Sequence, residues 1–439
     1  MSQLKVTKFG GSSLADAQQF RKVAEIVRSE PERHYVVASA PGKRFPQDIK
    51  VTDMLLQCYS ESREQQELRA SFAQLKERYQ QIINDLGLDF SLEQEFETIY
   101  SALMHHAGRD YVVSRGEYLN SMILAQFLGF DFVDAADCIF FKEDGTLDSE
   151  RTNQIMGELL QQHEYAVIPG FYGSMPNGTI RTFSRGGSDI TGSIVARAVR
   201  ADLYENWTDV SGMLMADPRC VPDPKVIDLI TYKELRELSY MGATVLHEDA
   251  IFPVRIANIP INIRNTNRPQ DPGTMIVAET DNYVCPYVIT GVSGKKGFSI
   301  INVEKDMMNS EVGFAQRVLE VLSKYNISFE HMPTGIDTLS VVVNTSVIAP
   351  IRGHLIAEIA RSTNLDSIMI EDGLALVAVV GRGMRSAKGT AAKVCSAISD
   401  AGINIKMIDQ GSSELNIILG IDETDLPATL NAIYSAFVQ

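Results

Sequence analysis

Of 439 residues only five are cysteine and one is tryptophan. Cys58, Cys138, Cys220, Cys285 and Cys395 are scattered, odd in number and form no C-x-x-C pair. That argues against a disulfide framework or a structural zinc site and fits a reducing compartment. The longest apolar run, Leu374 to Val380, is far short of the roughly 20 residues that cross a bilayer. Met1 to Lys5 lead straight into a strand-like pattern, without the basic segment and apolar core of an export signal, so a cytoplasmic protein is expected. Neither the Walker phosphate-loop spacing nor a full G-x-G-x-x-G occurs, which removes support for the common nucleotide-binding folds. Positive charge is scarce too: 40 Lys and Arg stand against 56 Asp and Glu, a net charge of −16. Nucleic acid and anionic membrane are poor partners for such a chain. If it binds anions, a few local cations and aimed backbone dipoles must do the work.

What is present is the composition of a globular protein, 45% hydrophobic and 22% charged, long enough for two or three domains. The segment Ser184-Arg185-Gly186-Gly187-Ser188-Asp189-Ile190 reads as a loop feeding a helix. Two glycines let backbone N–H groups approach a ligand, Ser188 or Asp189 is placed to cap, and Arg185 adds a full positive charge. Ile190, Ile194, Val195, Ala198 and Val199 then recur at helical spacing. Such a helix start is a phosphate or carboxylate site, or else an ordinary capped turn.

Upstream, Leu4, Val6 and Phe9 alternate as in a strand that ends at Lys8-Phe9-Gly10-Gly11-Ser12-Ser13, and Asp16 with Gln19 forms a capping pair for the next helix. Tyr35 to Ser39 is a second strand, stopped by Pro41-Gly42. This order predicts a largely parallel, helix-covered sheet. Residues of about 54–106 read as a helical excursion. Tyr111-Val112-Val113 reads as a strand leading through Ser114-Arg115-Gly116-Glu117 into a helix, with Glu117 at its start. Further strands are expected at Phe132 to Asp134, Ala166 to Ile168 and Leu203 to Trp207, and Pro176-Asn177-Gly178 marks a hairpin turn. A linker-like cluster of Asn, Pro, Asp and Gly spans Asn265 to Gly273.

Beyond it lies an internal repeat. Gly313-Phe314-Ala315-Gln316-Arg317-Val318 matches Gly389-Thr390-Ala391-Ala392-Lys393-Val394, and at the same offset Ser323, Ile327 and Met332 match Ser399, Ile403 and Ile408. Each copy reads strand, glycine, amphipathic helix, strand, hairpin, so two copies of a small α+β unit follow a larger α/β domain.

Alone, a strand-end Lys8, a helix-start Glu117 and a Thr208-Asp209 turn each have a plain structural reading. Together and in order, Lys8-Phe9-Gly10-Gly11-Ser12-Ser13, Ser114-Arg115-Gly116-Glu117, Ser184-Arg185-Gly186-Gly187-Ser188-Asp189 and Trp207-Thr208-Asp209-Val210 closely resemble the aspartate kinases. Those enzymes have the amino-acid kinase fold followed by paired ACT domains. The resemblance implies an α/β sandwich with a largely parallel central sheet over about 1–280, then two ferredoxin-like α+β units. The first would span 298–370, inserted into a second built from 284–297 and 371–439.

The activity implied is transfer of the ATP γ-phosphoryl group to the side-chain carboxylate of L-aspartate, giving 4-phospho-L-aspartate at the head of lysine, threonine and methionine synthesis. ATP with its Mg²⁺ would be the only cofactor, with no protein-held metal. By the resemblance, Lys8 contacts the transferring phosphate, and Asp189 orders the charged groups. Thr52, Glu117 and Arg185 hold aspartate. Gly10, Gly11, Ser12, Gly186, Gly187, Ser188, Thr208, Asp209 and Arg219 meet the nucleotide. Met308, Gly313, Phe314, Ala315, Ser328, Phe329, Glu330 and Asn404 face an end-product effector, lysine in preference to threonine. The ACT units would join a homodimer or homotetramer. The chain departs from the family at Thr244, where a lysine is common, and at Glu248, where a proline is usual. The rival readings are another amino-acid kinase, acting on glutamate or acetylglutamate, and a non-catalytic amino-acid sensor working through its ACT pair.

Overall fold

The computed structural model describes residues 3–64, 68–184, 186–242, 246, 248–279 and 285–438. They form two compact units: 1–213 with 226–232 and 245–281, and 214–225 with 233–244 and 282–439. Two short segments, 214–225 and 233–244, thus leave the first unit for the second. Among the described residues no helix is long and apolar enough to cross a membrane.

In the first unit, β1 (Lys5–Phe9), α1 (Ala17–Ser29) and β2 (Arg33–Ala38) follow the predicted order, and Asp16 caps α1 by accepting from the Gln19 N–H at 3.0 Å. Three helices come next, α2 (Val51–Arg63), α3 (Leu68–Leu86) and α4 (Glu93–Met104), followed by α5 (Arg109–Leu128). The expected strand at Tyr111 to Val113 lies inside α5, and Glu117 sits in its middle rather than at its start. The strand preference of β-branched and aromatic residues depends on context, and here burial decides: Val112 to Glu117 are all enclosed, so α5 shows no amphipathic stripe to betray it.

The remaining strands of this unit are β3 (Asp131–Phe132), β4 (Ala166–Pro169), β5 (Tyr172–Ser174), β6 (Ile180–Thr182), β7 (Leu203–Thr208), β8 (Leu229–Thr231), β9 (Ile261–Asn265) and β10 (Thr274–Val277). α6 (Ser149–Leu160) precedes β4, and α7 (Gly187–Ala198) precedes β7. β8 runs into α8 (Tyr232–Tyr240), and α9 (Glu248–Ile256) precedes β9. The main sheet has the order β3-β4-β2-β1-β7-β9-β10-β8. Every neighbouring pair is parallel except β9 with β10. β5 and β6 form the hairpin that Pro176-Asn177-Gly178 predicts.

The second unit is a six-stranded antiparallel sheet of order β12-β13-β11-β14-β16-β15, from β11 (Gly291–Glu304), β12 (Phe329–His331), β13 (Thr338–Asn344), β14 (Ser367–Val380), β15 (Ile405–Asp409) and β16 (Asn416–Asp422). It carries α10 (Phe314–Lys324), α11 (Thr345–Ile348), α12 (Arg352–Thr363), α13 (Thr390–Asp400) and α14 (Leu426–Val438). β11 and β14 are 14 residues each and pair along their length, with the register shifting around Gly297. One half of β11 pairs with β13 and the opposite half of β14 with β16, so the two repeats exchange strands. The repeat holds in the backbone at its glycine: Gly313 and Gly389 both stand at φ 84°, ψ 5° before 11-residue helices. His331 on β12 and Asp409 on β15 meet at 2.7 Å; the outermost strands therefore touch, and the sheet curls back on itself.

Candidate active site

β1, β2 and β7 lie side by side in one parallel direction, so their carboxyl ends open on the same edge, where open α/β sheets take ligands. A cavity of about 600 Å³ sits there. Gly11 and Ser12 line it after β1, Ala40 and Gly42 after β2, and Asp209 after β7; Thr52 enters from α2 and Glu117 from α5. Lys43 and Lys50, which sequence reasoning did not single out, supply cations to the same wall.

The first two loops touch backbone to backbone. Gly42 N–H donates to the Gly11 carbonyl at 2.8 Å. A Cβ on Gly42 would stand 2.6 Å from the Gly11 carbonyl carbon and 2.8 Å from the Ser12 nitrogen, so only glycine fits. The helical excursion secures this contact: buried Arg78 of α3 donates to the Ala15 carbonyl at 2.8 Å and the Gly42 carbonyl at 3.0 Å. Tyr79, beside it, donates its hydroxyl to the Gly116 carbonyl at 2.8 Å, fixing the turn of α5 that presents Glu117.

Glu117 is buried, and its Oε2 has no hydrogen-bond partner. Burial pushes its carboxyl up to about 8, against the backbone N–H groups of Ala40 and Glu117 and the charge of Arg115, which pull it down. Arg115 is itself held among the rings of Tyr111, Tyr118 and Tyr172, its guanidinium 4.4 to 5.2 Å from their centres. A desolvated carboxyl on the wall of a cavity, with one buried oxygen left unpartnered, would gain from a cation brought in beside it.

On the other side of Gly10, Lys8 Nζ lies 2.6 Å from Asp189 Oδ1. Asp189 is in the first turn of α7, whose N-cap is Gly186 in the left-handed conformation at φ 57°; neither Ser188 nor Asp189 caps the helix. At Gly187 a Cβ would stand 2.5 Å from the Phe171 ring, so α7 starts hard against that residue. Asn206 of β7 also reaches Asp189 Oδ1, at 2.8 Å. Thr208 ends β7, next to Asp209.

The structure thus gathers Gly11, Ser12, Thr52, Glu117 and Asp209 on one cavity and pairs Lys8 with Asp189 beside Gly10. Arg185 lies outside the described residues, as do Thr244 and residue 284; the side chain of Glu248 is likewise not described. Arg219 belongs to the second unit, where its exposed side chain pairs with Asp217 at 2.6 Å. Among the described residues no group of three or more His, Cys, Asp or Glu could hold a metal ion.

In the second unit Met308 occupies a buried turn after β11, Gly313 caps α10, and Phe314 is core, packed with Val318 and Leu322. Phe329 is exposed on β12, while Glu330 accepts a hydrogen bond from the Tyr240 hydroxyl. Ser328 and Asn404 stand just before β12 and β15, the equivalent strands of the two repeats.

The Amino acid kinase family matches residues 3–265, and an ACT domain matches 377–437. Aspartokinase 3 of Bacillus subtilis is 37% identical over 99% of this chain and 98% of its own length. The crystal structure of the Clostridium acetobutylicum aspartate kinase, described as an allosteric enzyme, superposes with a TM-score of 0.90 at 48% identity, covering 99% of this chain and 100% of that one. Two structures of E. coli aspartokinase III, at 24% identity, share the fold. One holds aspartate and ADP (TM-score 0.76, 99% of each chain), the other lysine and aspartate (0.74, 100% of each).

Proposed function

The chain belongs to the aspartokinases of the amino acid kinase family and is an ATP-dependent kinase of the aspartate side chain; we propose that the cavity over β1, β2 and β7 is where the two substrates meet. The observation that carries this reading is the unpartnered Oε2 of buried Glu117. Aspartate brings two carboxylates and one ammonium, and Glu117 is placed to take the ammonium, with Thr52 beside it on the wall. Arg185, by its place in the sequence, and Lys43 or Lys50, by lining the cavity, supply charge for the α-carboxylate.

The nucleophile is the aspartate side-chain carboxylate, whose ordinary pKa of about 3.9 leaves it ionised at neutral pH, so no general base is required. The difficulty is to bring it onto a phosphoryl group and hold the charge that spreads over the equatorial oxygens. Lys8 supplies that charge, Asp189 holds Lys8, and the N–H groups of Gly11, Ser12, Gly186, Gly187 and Ser188 supply donors; the Gly10 N–H is given to the Trp207 carbonyl at 3.0 Å, so Gly10 contributes the turn and not a donor. Thr208 and Asp209 contact the nucleotide. Mg²⁺ would arrive with the nucleotide and offset the charge of its phosphates, and the Asp209 carboxylate is the group of this chain that would meet it.

Regulation falls to the second unit. We take 298–370 as the first ACT unit and 284–297 with 371–439 as the second, after a catalytic region of about 1–280. Lysine is the effector proposed for the region of Met308, Gly313 to Ala315, Ser328 to Glu330 and Asn404. Pairing of ACT units from two copies gives a homodimer or homotetramer, and the five unpaired thiols suit the cytoplasm.

The test is formation of an acyl hydroxamate from ATP, Mg²⁺ and each of aspartate, glutamate and acetylglutamate. Product with aspartate is expected. Product with glutamate alone points to the rival kinase, and no product with any of them points to a sensor.

A further inference from the structure

We propose that Asn206 is a positioning residue for phosphoryl transfer, acting through Asp189 on Lys8; the inference rests on the roles given above to those two residues. Lys8 and Asn206 are register partners on the adjacent parallel strands β1 and β7. Directly paired residues of neighbouring strands project from the same face of a sheet, and here that is the face on which α7 packs. Both side chains end on one atom: Lys8 Nζ is 2.6 Å and Asn206 Nδ2 is 2.8 Å from Asp189 Oδ1.

Asn206 is 3% exposed, so its carboxamide is committed to the protein and not to water. Two residues earlier on the same face, the Tyr204 hydroxyl donates to the Asp189 backbone carbonyl at 3.2 Å and lies 3.4 Å from Asn206 Nδ2. β7 therefore holds the first turn of α7 by backbone and side chain at once. An aspartate carboxylate turns freely about its last torsion, and a lysine ammonium on a four-carbon stem follows whichever oxygen is nearest. With Asn206 in place that oxygen is fixed, and its charge is shared between two donors. Lys8 is then held at a defined point without being wholly engaged, and its remaining N–H bonds are left for phosphate. An apolar residue at 206 would leave a partly buried carboxylate oxygen with a single donor, free to rotate and carry Lys8 with it.

The experiment is a double-mutant cycle on the full-length enzyme, reading kcat and both KM values by transfer of labelled phosphate from ATP to aspartate. Asn206→Leu is expected to lower kcat about tenfold with each KM changed less than about twofold, and Asn206→Ser, which keeps a donor, to recover part of the loss. In an Asp189→Ala background Asn206→Leu should cost less than about twofold, because the residue it acts through is gone. A purely structural role predicts the same loss in both backgrounds; that result, a loss confined to KM, or wild-type kcat overturns the proposal. Should Asn206→Leu not fold by circular dichroism, Asn206→Ala carries the same comparison. A wild-type enzyme that makes no aspartyl phosphate overturns the functional reading itself, whereas active wild type matched by its Asn206 variants overturns this inference alone.

Discussion

Lys8 Nζ and Asp189 Oδ1 are 2.6 Å apart, joining the end of the first strand to the first turn of α7 across 181 residues of sequence. The contact puts the cation at the carboxyl edge of the sheet, next to the glycines that border the cavity. Lys8→Ala should lower turnover by at least about 100-fold while the far-ultraviolet circular dichroism stays that of wild type. Near-wild-type turnover would remove Lys8 from the mechanism.

The role proposed for Glu117 should couple aspartate binding to pH. With its carboxyl near 8 it is mostly protonated at pH 7, and an arriving ammonium favours the ionised form. Binding of aspartate at pH 7 should therefore release most of one proton, and affinity should rise from pH 6 to pH 8. Calorimetry in buffers of different ionisation heat measures this directly; proton uptake, or none, would contradict the assignment.

The same carboxyl weakens the fold. Its pKa is raised above the unfolded value of 4.5, so the protonated form is the one the fold favours. The stability of the fold is undiminished by this group below about 4.5 and falls as pH rises through about 8. Glu117→Gln is expected to melt higher than wild type at pH 8 to 9 and at the same temperature below pH 4.5, while its KM for aspartate rises at least about 100-fold. A lower Tm at pH 9 would show that Glu117 is stabilising as an anion.

Much of this was open to the sequence. The strands at Lys5–Phe9 and Leu203–Thr208, the Asp16 cap, the Pro176-Asn177-Gly178 hairpin and the glycine-led repeat all rest on local signals that packing left intact. α5 did not, because a helix enclosed on every side has no periodicity to read, and its three β-branched and aromatic residues at 111–113 point to a strand. Lys43 and Lys50 were not legible, since nothing local tells that they line the same cavity as Gly11 and Ser12. Asn206 was invisible for a related reason: its partner is set by the register of β1 on β7 and by the packing of α7, which no single stretch encodes.

Gly42→Ala tests the contact between the two loops. The added methyl meets only backbone, at 2.6 to 2.8 Å, so Gly11 or residue 42 must shift. kcat/KM for both substrates should fall at least about tenfold, since small displacements of positioning groups are costly. Unchanged kinetics would mean that the loops move freely without harm.

For regulation, the left-handed Gly313 is the sensitive point. Alanine there costs about 1 kcal/mol of backbone strain in the turn assigned to the effector. Lysine inhibition of Gly313→Ala should shift its midpoint at least about fivefold, and that of Gly389→Ala, the matching glycine of the other repeat, by less. Equal shifts, or indifference of the wild type to lysine, would sink the lysine assignment.

The most direct measurement is a crystal structure with aspartate, Mg²⁺ and a non-hydrolysable ATP analogue. The aspartate ammonium should lie within about 3 Å of Glu117 Oε2, and Lys8 Nζ within about 3 Å of the terminal phosphate, with Arg185 turned to the same aspartate. Lys8 and Arg185 found in separate clefts, too far apart to share one bound pair of substrates, would contradict the account.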